Sequence, residues 1–192
     1  GYLSVFMAAM LGLVLSDNVI SLFTFWELTS ISSFFLIGFN NTQEASRKSA
    51  LTALGITGLG GMFLLAGVIV LGNITGTFSI AEMLNMSPEF IKGHEYYTVA
   101  VILLFGAAFT KSAQFPFHFW LPGAMKAPTP VSTYLHSATM VKAGIYLVMR
   151  FTPVLGGEEI WNTTLIVVGA VTMLYSAFHS LFRTDLKGVL AY

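Results

Sequence analysis

The sequence predicts an all-α, polytopic transmembrane helical bundle, and three observations carry that prediction. Hydrophobic residues make up 55% of the 192 positions and charged residues 9%, whereas a soluble domain needs roughly a quarter of its residues charged to keep its surface wet. Mean hydropathy is +0.77. The apolar residues also fall in long runs separated by short polar stretches, the pattern of helices threading a bilayer. Net charge is zero, with no basic or acidic block, so nothing points to a nucleic-acid partner. The absence of cysteine excludes disulfides, thiolate metal sites and iron–sulfur ligation within this segment.

About six spans are expected, with the start of a seventh, each needing roughly 20 apolar residues to cross the hydrocarbon. The first covers residues 2–15 and ends at Asp17-Asn18; the second covers 19–39 and stops at Asn40-Asn41. The third, 49–71, is rich in glycine (Gly55, Gly58, Gly60, Gly61, Gly67), and small residues let neighbouring helices approach closely. A polar loop is expected over 72–95. The fourth span runs from about residue 97 to 112 and then meets Pro116, Pro122, Pro128 and Pro130. Proline removes a donor and clashes with the preceding turn, so no continuous helix crosses this stretch. The broken-helix segment is therefore set at about 97–130. A fifth span follows over 131–151, a sixth over 161–182, and another helix begins near 186. Residues 1–192 are read as a single transmembrane domain. The chain opens inside an apolar run without Met and closes as a helix starts, so we expect an internal piece of a longer membrane protein.

Basic residues support this threading. Arg47, Lys48, Lys126, Arg183 and Lys187 fall in connections that share one side of the membrane, which the positive-inside rule makes cytoplasmic. Glu82, Glu89, Glu95, Glu158 and Glu159 fall on the other. Arg150 is the exception, with a side chain long enough to snorkel. Asp17 reads as an interfacial anchor.

Charge inside a bilayer costs about 2.5–3.5 kcal/mol per residue on insertion scales, so charges found there need a reason. Glu27 sits near the middle of the second span, Lys111 near the end of the fourth and Lys142 at the middle of the fifth. His136 and Thr139 complete an i, i+3, i+6 polar stripe with Lys142. His179 adds a titratable group to the sixth span, and His118 falls in the broken segment with Pro116. The structural alternatives are a fixed Glu27–Lys111 salt bridge and satisfied core histidines. The functional reading is a proton relay of Glu27, Lys111, His136 and Lys142, with His118 and His179 as further candidates. Burial disfavours a charged amine while a nearby carboxylate favours it, so a changing acid–amine distance would load and release a proton. A helix break at membrane depth fits, because irregular backbone is tolerated there only against protein or a watery cavity. No catalytic triad, phosphate loop, cofactor motif or metal-ligand cluster is present in the sequence, so we assign no enzyme active site, no cofactor and no metal.

Lys111-Ser-Ala-Gln-Phe-Pro-Phe-His-Phe-Trp-Leu-Pro-Gly-Ala-Met125, continuing through Ala127-Pro-Thr-Pro-Val-Ser132 into His136-Ser-Ala-Thr-Met-Val-Lys142-Ala-Gly-Ile-Tyr-Leu147, is a long and specific signature. It resembles the antiporter-like membrane subunits shared by respiratory complex I and Mrp-type multisubunit sodium/proton antiporters. Trp26-Glu27-Leu28 looks like that family's glutamate helix, and Thr184-Asp-Leu-Lys-Gly-Val-Leu-Ala-Tyr192 like its entry to the next helix. The resemblance is weakest over about 49–96. The Trp-Leu-Pro-Gly-Ala-Met wording and Lys142 bring the chain nearest the large A subunits of Mrp antiporters; complex I relatives usually carry Asp at the position of Gly123. Lys126 departs from the family, whose members commonly carry an acid there. The resemblance implies two inverted five-helix repeats, of which this chain would be most of the first. It also implies that Glu27 and Lys111 are the paired residues of the first half-channel, with His136 and Lys142 leading towards the centre. The implied activity is sodium/proton or monovalent cation/proton antiport, and the implied partners are other membrane subunits, protons, Na+ and lipid. The implied location is a bacterial-type cell (inner) membrane, crossed many times. A proton-pumping subunit of complex I or of a membrane-bound hydrogenase is the alternative, and a purely structural role is the third reading.

Overall fold

A computed structural model describes residues 1–192, with side chains for all but residues 136–138. Among the described residues every regular element is a helix, apart from one antiparallel bridge between Asn18 and Ser79. α1 (Tyr2–Leu15) and α2 (Val19–Ile37) form a tight hairpin. α1 ends at its cap, Ser16, and Asn18 starts α2: its side chain accepts from Ile20 N at 2.8 Å and Ser21 N at 3.4 Å, taking up two of the free donors of α2. α3 (Glu44–Thr75) has 32 residues, about 48 Å at 1.5 Å per residue, so it outruns a hydrocarbon layer of about 30 Å. It ends at Gly76, whose φ of +70° forms a left-handed cap with its N–H on Gly72 O.

The stretch 72–95, expected as a polar loop, is largely helical. α3 continues to Thr75, and two short helices follow, α4 (Ile80–Asn85) and α5 (Pro88–Lys92). Their start signals are in the sequence: Ser79-x-x-Glu82 has capping-box spacing, and Ser79 Oγ accepts from Glu82 N. Pro88 opens α5 at a position where its missing N–H costs nothing.

α6 (Tyr97–Lys111) then crosses against α3 and stops. A single 3₁₀ turn (Phe117–Phe119) leads into α7 (Trp120–Ala124), and α8 (Thr129–Ser132) starts the return. Before α9 (Met140–Leu155) the helix widens into a π-helical stretch, Thr133–Thr139. α10 (Glu159–Ser180) lies at the edge and fully buries only Trp161 among its described residues. α11 (Leu186–Ala191) closes the chain. Val19–Ile37, Glu44–Thr75, Thr129–Leu155 and Glu159–Ser180 are long and apolar enough to cross a membrane, and Tyr2–Leu15 and Tyr97–Lys111 are shorter apolar helices.

The glycines of α3 do not all serve packing. A Cβ on Gly67 would touch Leu103 and Leu104 of α6, and one on Gly60 would run into Thr110, so these two bring α3 and α6 together. Gly55 and Gly58 have nothing within 4 Å. One end of the bundle gathers Asp17, Ser79, Ala81 and Arg150. Asp17 accepts from Ser79 Oγ at 2.8 Å and Ala81 N at 3.0 Å, and Arg150 Nη2 stands 3.9 Å from it. Arg150, out of place by charge sidedness, therefore sits beside an acid at its own end. Lys48 and Lys126 line a common cleft at the opposite end.

Candidate functional site in the α2–α3–α6 interior

Lys111 is the last residue of α6 and is wholly buried. Its ammonium crosses to α2, where Nζ donates to Trp26 O at 3.1 Å and to Ser30 Oγ at 2.6 Å. It also stands 5.1 Å from the centre of the buried Trp26 ring, within cation–π range. The receiving stretch of α2 is unusually polar for mid-span: Thr29, Ser30, Ser32 and Ser33 are all buried, each hydroxyl bonded to a carbonyl of its own helix. Ser30 is the residue that charge-based reasoning missed. The Thr-Ser-x-Ser-Ser run beginning two residues after Glu27 was the available signal.

Glu27 lies in the same turn of α2, between the two positions that hold Lys111. Its carboxylate makes no ion pair with Lys111 within 4.0 Å among the described residues. Oε1 is buried with no hydrogen-bond partner and leans on Gly61 of α3. The fixed salt bridge considered from sequence is therefore not the arrangement found: the amine's hydrogen bonds go to neutral oxygens, and the nearby acid keeps Oε1 free of any.

The end of α6 is built so that its freed backbone groups find partners. Trp120 Nε1 donates to Thr110 O at 3.0 Å, and Phe115 N donates to Thr172 Oγ1 of α10 at 3.0 Å. Ser112 Oγ reaches Val141 O of α9 at 2.7 Å. Lys187 Nζ, from α11, donates to Ala127 O at 3.0 Å. Pro116 lies in this gap, which is how irregular backbone is accommodated at depth. A cavity of about 410 Å³ adjoins the break, lined in part by Ser112, Gln114, Thr129, Ser132, Thr172 and Lys187. Leu121, Met125, Val141 and Leu190 share the lining, so the polar groups form footholds in a largely apolar wall.

The remaining expected residues lie elsewhere. Lys142 is exposed on the flank of α9 and faces a groove beside α1 with Met10, Val14, Tyr134 and Tyr146. It makes no hydrogen bond or ion pair among the described residues. The side chain of His136 lies outside the described residues. His118 and His179 are brought together: their rings stand 4.5 and 4.0 Å from that of Tyr175, and both border Tyr192, which Arg183 bonds at 2.9 Å. His118 Nδ1 is buried, with the Pro116 backbone as its polar neighbour.

Comparison with known proteins locates this arrangement. A family profile described as NADH:quinone oxidoreductase/Mrp antiporter, transmembrane, matches residues 16–192. The Na(+)/H(+) antiporter A subunit of Bacillus subtilis is 54% identical over 191 residues, covering 100% of this chain and 24% of that protein. The A1 subunit of the Staphylococcus aureus Na(+)/H(+) antiporter is 52% identical over 191 residues, with the same coverage. The chain thus spans about a quarter of the length of these relatives. Among solved structures, a chain of the Mrp complex from Dietzia sp. DQ12-45-1b superposes with a TM-score of 0.90 at 44% identity, over 100% of this chain and 21% of that one. An archaeal respiratory membrane complex, the membrane-bound sulfane sulfur reductase, shares the fold with a TM-score of 0.85 at 23% identity, over 100% of this chain and 39% of that one.

Proposed function

The chain belongs to the NADH:quinone oxidoreductase/Mrp antiporter transmembrane family, and from that premise we propose that it forms the first proton half-channel of a multisubunit Na+/H+ antiporter. The observation that carries the proposal is the wholly buried Lys111 ammonium, hydrogen-bonded to neutral oxygens beside a Glu27 carboxylate whose Oε1 has no hydrogen bond. An amine so placed changes its proton occupancy when the carboxylate approaches or withdraws, because the charged form gains from a nearby anion and loses from dry surroundings. The cavity at the break brings polar groups, Ser112, Gln114 and Lys187 among them, to the end of α6, and Ser112 joins that end to α9. His136 and Lys142 stay in this reading as later members of the relay on the strength of the family resemblance alone, since Lys142 faces the groove beside α1 and not the Lys111 pocket. His118 and His179, packed on Tyr175, form a further candidate relay. Pro116 keeps the break open.

The assembly consists of other membrane subunits in a bacterial cell membrane, with the Lys48–Lys126 end cytoplasmic and Na+ as the exchanged cation. The chain itself translocates ions and is not an enzyme. The family also includes NADH:quinone oxidoreductase subunits, but identities of 52–54% to antiporter subunits favour exchange over redox pumping. The test is Na+-dependent proton flux in everted vesicles holding the full complex. Glu27→Gln and Lys111→Ala should each abolish flux at normal protein abundance. Wild-type flux in both would overturn the proposal.

A further inference from the structure

The Glu27 carboxylate has no protein hydrogen bond on Oε1, so something else must determine where it rests. The nearest wall is the bare backbone of α3 at Gly61. A Cβ built there would overlap Oε1, come within 2.6 Å of Cδ and lie 3.3 Å from Oε2. Those three carboxyl atoms are the nearest neighbours of that position. The space at 61 is therefore taken by Glu27, not by a helix backbone, and this separates Gly61 from Gly60, whose missing Cβ makes room for Thr110. The α2–α3 approach is also fixed elsewhere, by Ser46 Oγ donating to Ile37 O at 3.0 Å and by Gly38 against Ala50.

We propose that Gly61 is a positioning residue for the Glu27 carboxylate: the absent side chain at 61 is the seat in which the acid rests, apart from Lys111. This rests on the Glu27–Lys111 reading above and deepens it. A methyl group at 61 meets only the far end of a flexible side chain, so the bundle accommodates Gly61→Ala by turning Glu27 aside. The fold survives and the acid–amine distance changes. Misplacing a transfer group by about an ångström costs of the order of a hundredfold in rate.

The experiment uses the intact antiporter complex in everted vesicles, with Na+-dependent proton flux and protein abundance read together. Gly61→Ala should lower flux by about ten- to a hundredfold at normal abundance, while Gly58→Ala, on the open face of the same helix, stays within about twofold of wild type. Glu27→Asp withdraws the carboxylate by one methylene, so Gly61→Ala combined with Glu27→Asp should be no worse than Glu27→Asp alone. Unchanged flux in Gly61→Ala, or losses that simply multiply in the double variant, overturns the proposal. Should Gly61→Ala fail to accumulate, Gly61→Ala with Glu27→Ala must restore abundance; if it does not, the glycine serves helix packing and the inference falls. Wild-type flux in both Glu27→Gln and Lys111→Ala condemns the relay itself, whereas an inactive Glu27→Gln beside a fully active Gly61→Ala condemns the positioning role alone.

Discussion

Ser30→Ala tests most directly how Lys111 is held. It deletes the shorter of the two hydrogen bonds to Nζ, the one at 2.6 Å, and leaves Trp26 O at 3.1 Å as the remaining acceptor. A hydrogen bond to a charged group contributes about 1.5–3 kcal/mol. At about 1.4 kcal/mol per factor of ten, the protonated form of the site becomes about ten- to 150-fold less favoured. The change is nearly isosteric, and the buried neighbours Thr29, Ser32 and Ser33 keep their own carbonyl partners, so α2 should fold unchanged. Flux in everted vesicles at mildly alkaline pH should fall by at least tenfold. Mass action then predicts that supplying more protons offsets the deficit, closing it as pH is lowered by about one to two units. Ser30→Thr, which keeps the hydroxyl, should retain most of the flux. A Ser30→Ala profile that overlays wild type at every pH would show that the hydroxyl does not help hold the proton.

Two further outcomes follow from the same geometry. Trp26 Nε1 has no partner while the ring faces Lys111, so Trp26→Phe should keep flux within a few-fold, whereas Trp26→Leu forfeits a cation–π contribution of about 0.5–2 kcal/mol and should lower it further. At the opposite end, Asp17→Ala removes the acceptor for Ser79 Oγ and Ala81 N and should cost about 1 kcal/mol, read as a lowered Tm of the purified complex. Arg150→Ala should move Tm little, because its pairing with Asp17 is long, at 3.9 Å, and partly exposed.

The helical membrane class was legible because span composition is a one-dimensional property of the chain. Glu27 and Lys111 were legible for the same reason: a charge in an apolar run is visible without a fold. Lys111's partners were not, since Ser30 lies 81 positions away and its role depends on the rotation of α2 against α6. The rotation of α9 likewise decides that Lys142 faces the groove beside α1, although its mid-span position resembles that of Glu27. The glycines of α3 show the limit most clearly. Gly58, Gly60 and Gly61 read alike in sequence, yet one faces open space, one Thr110 and one the Glu27 carboxylate. The short helices after α3 were legible from Ser79-x-x-Glu82 and Ser87-Pro88, but the polarity of the stretch masked them.

The position of Lys111 at the break explains why the amine can be buried without a carboxylate in contact. At the C-terminus of α6 the carbonyls carry the negative end of the helix dipole, which favours a cation within the last turn. The side chain is then free to reach across to α2, where a helical hydroxyl and a backbone oxygen complete its shell. A permanent buried ion pair would hold both charges in a deep, mutually dependent well, since removing either partner strands the other. Dividing the task differently, with neutral oxygens for the amine and a side-chain-free wall for the acid, leaves Glu27 able to move without stranding Lys111. The broken helix, the hydroxyl run of α2 and Gly61 are three parts of that one arrangement.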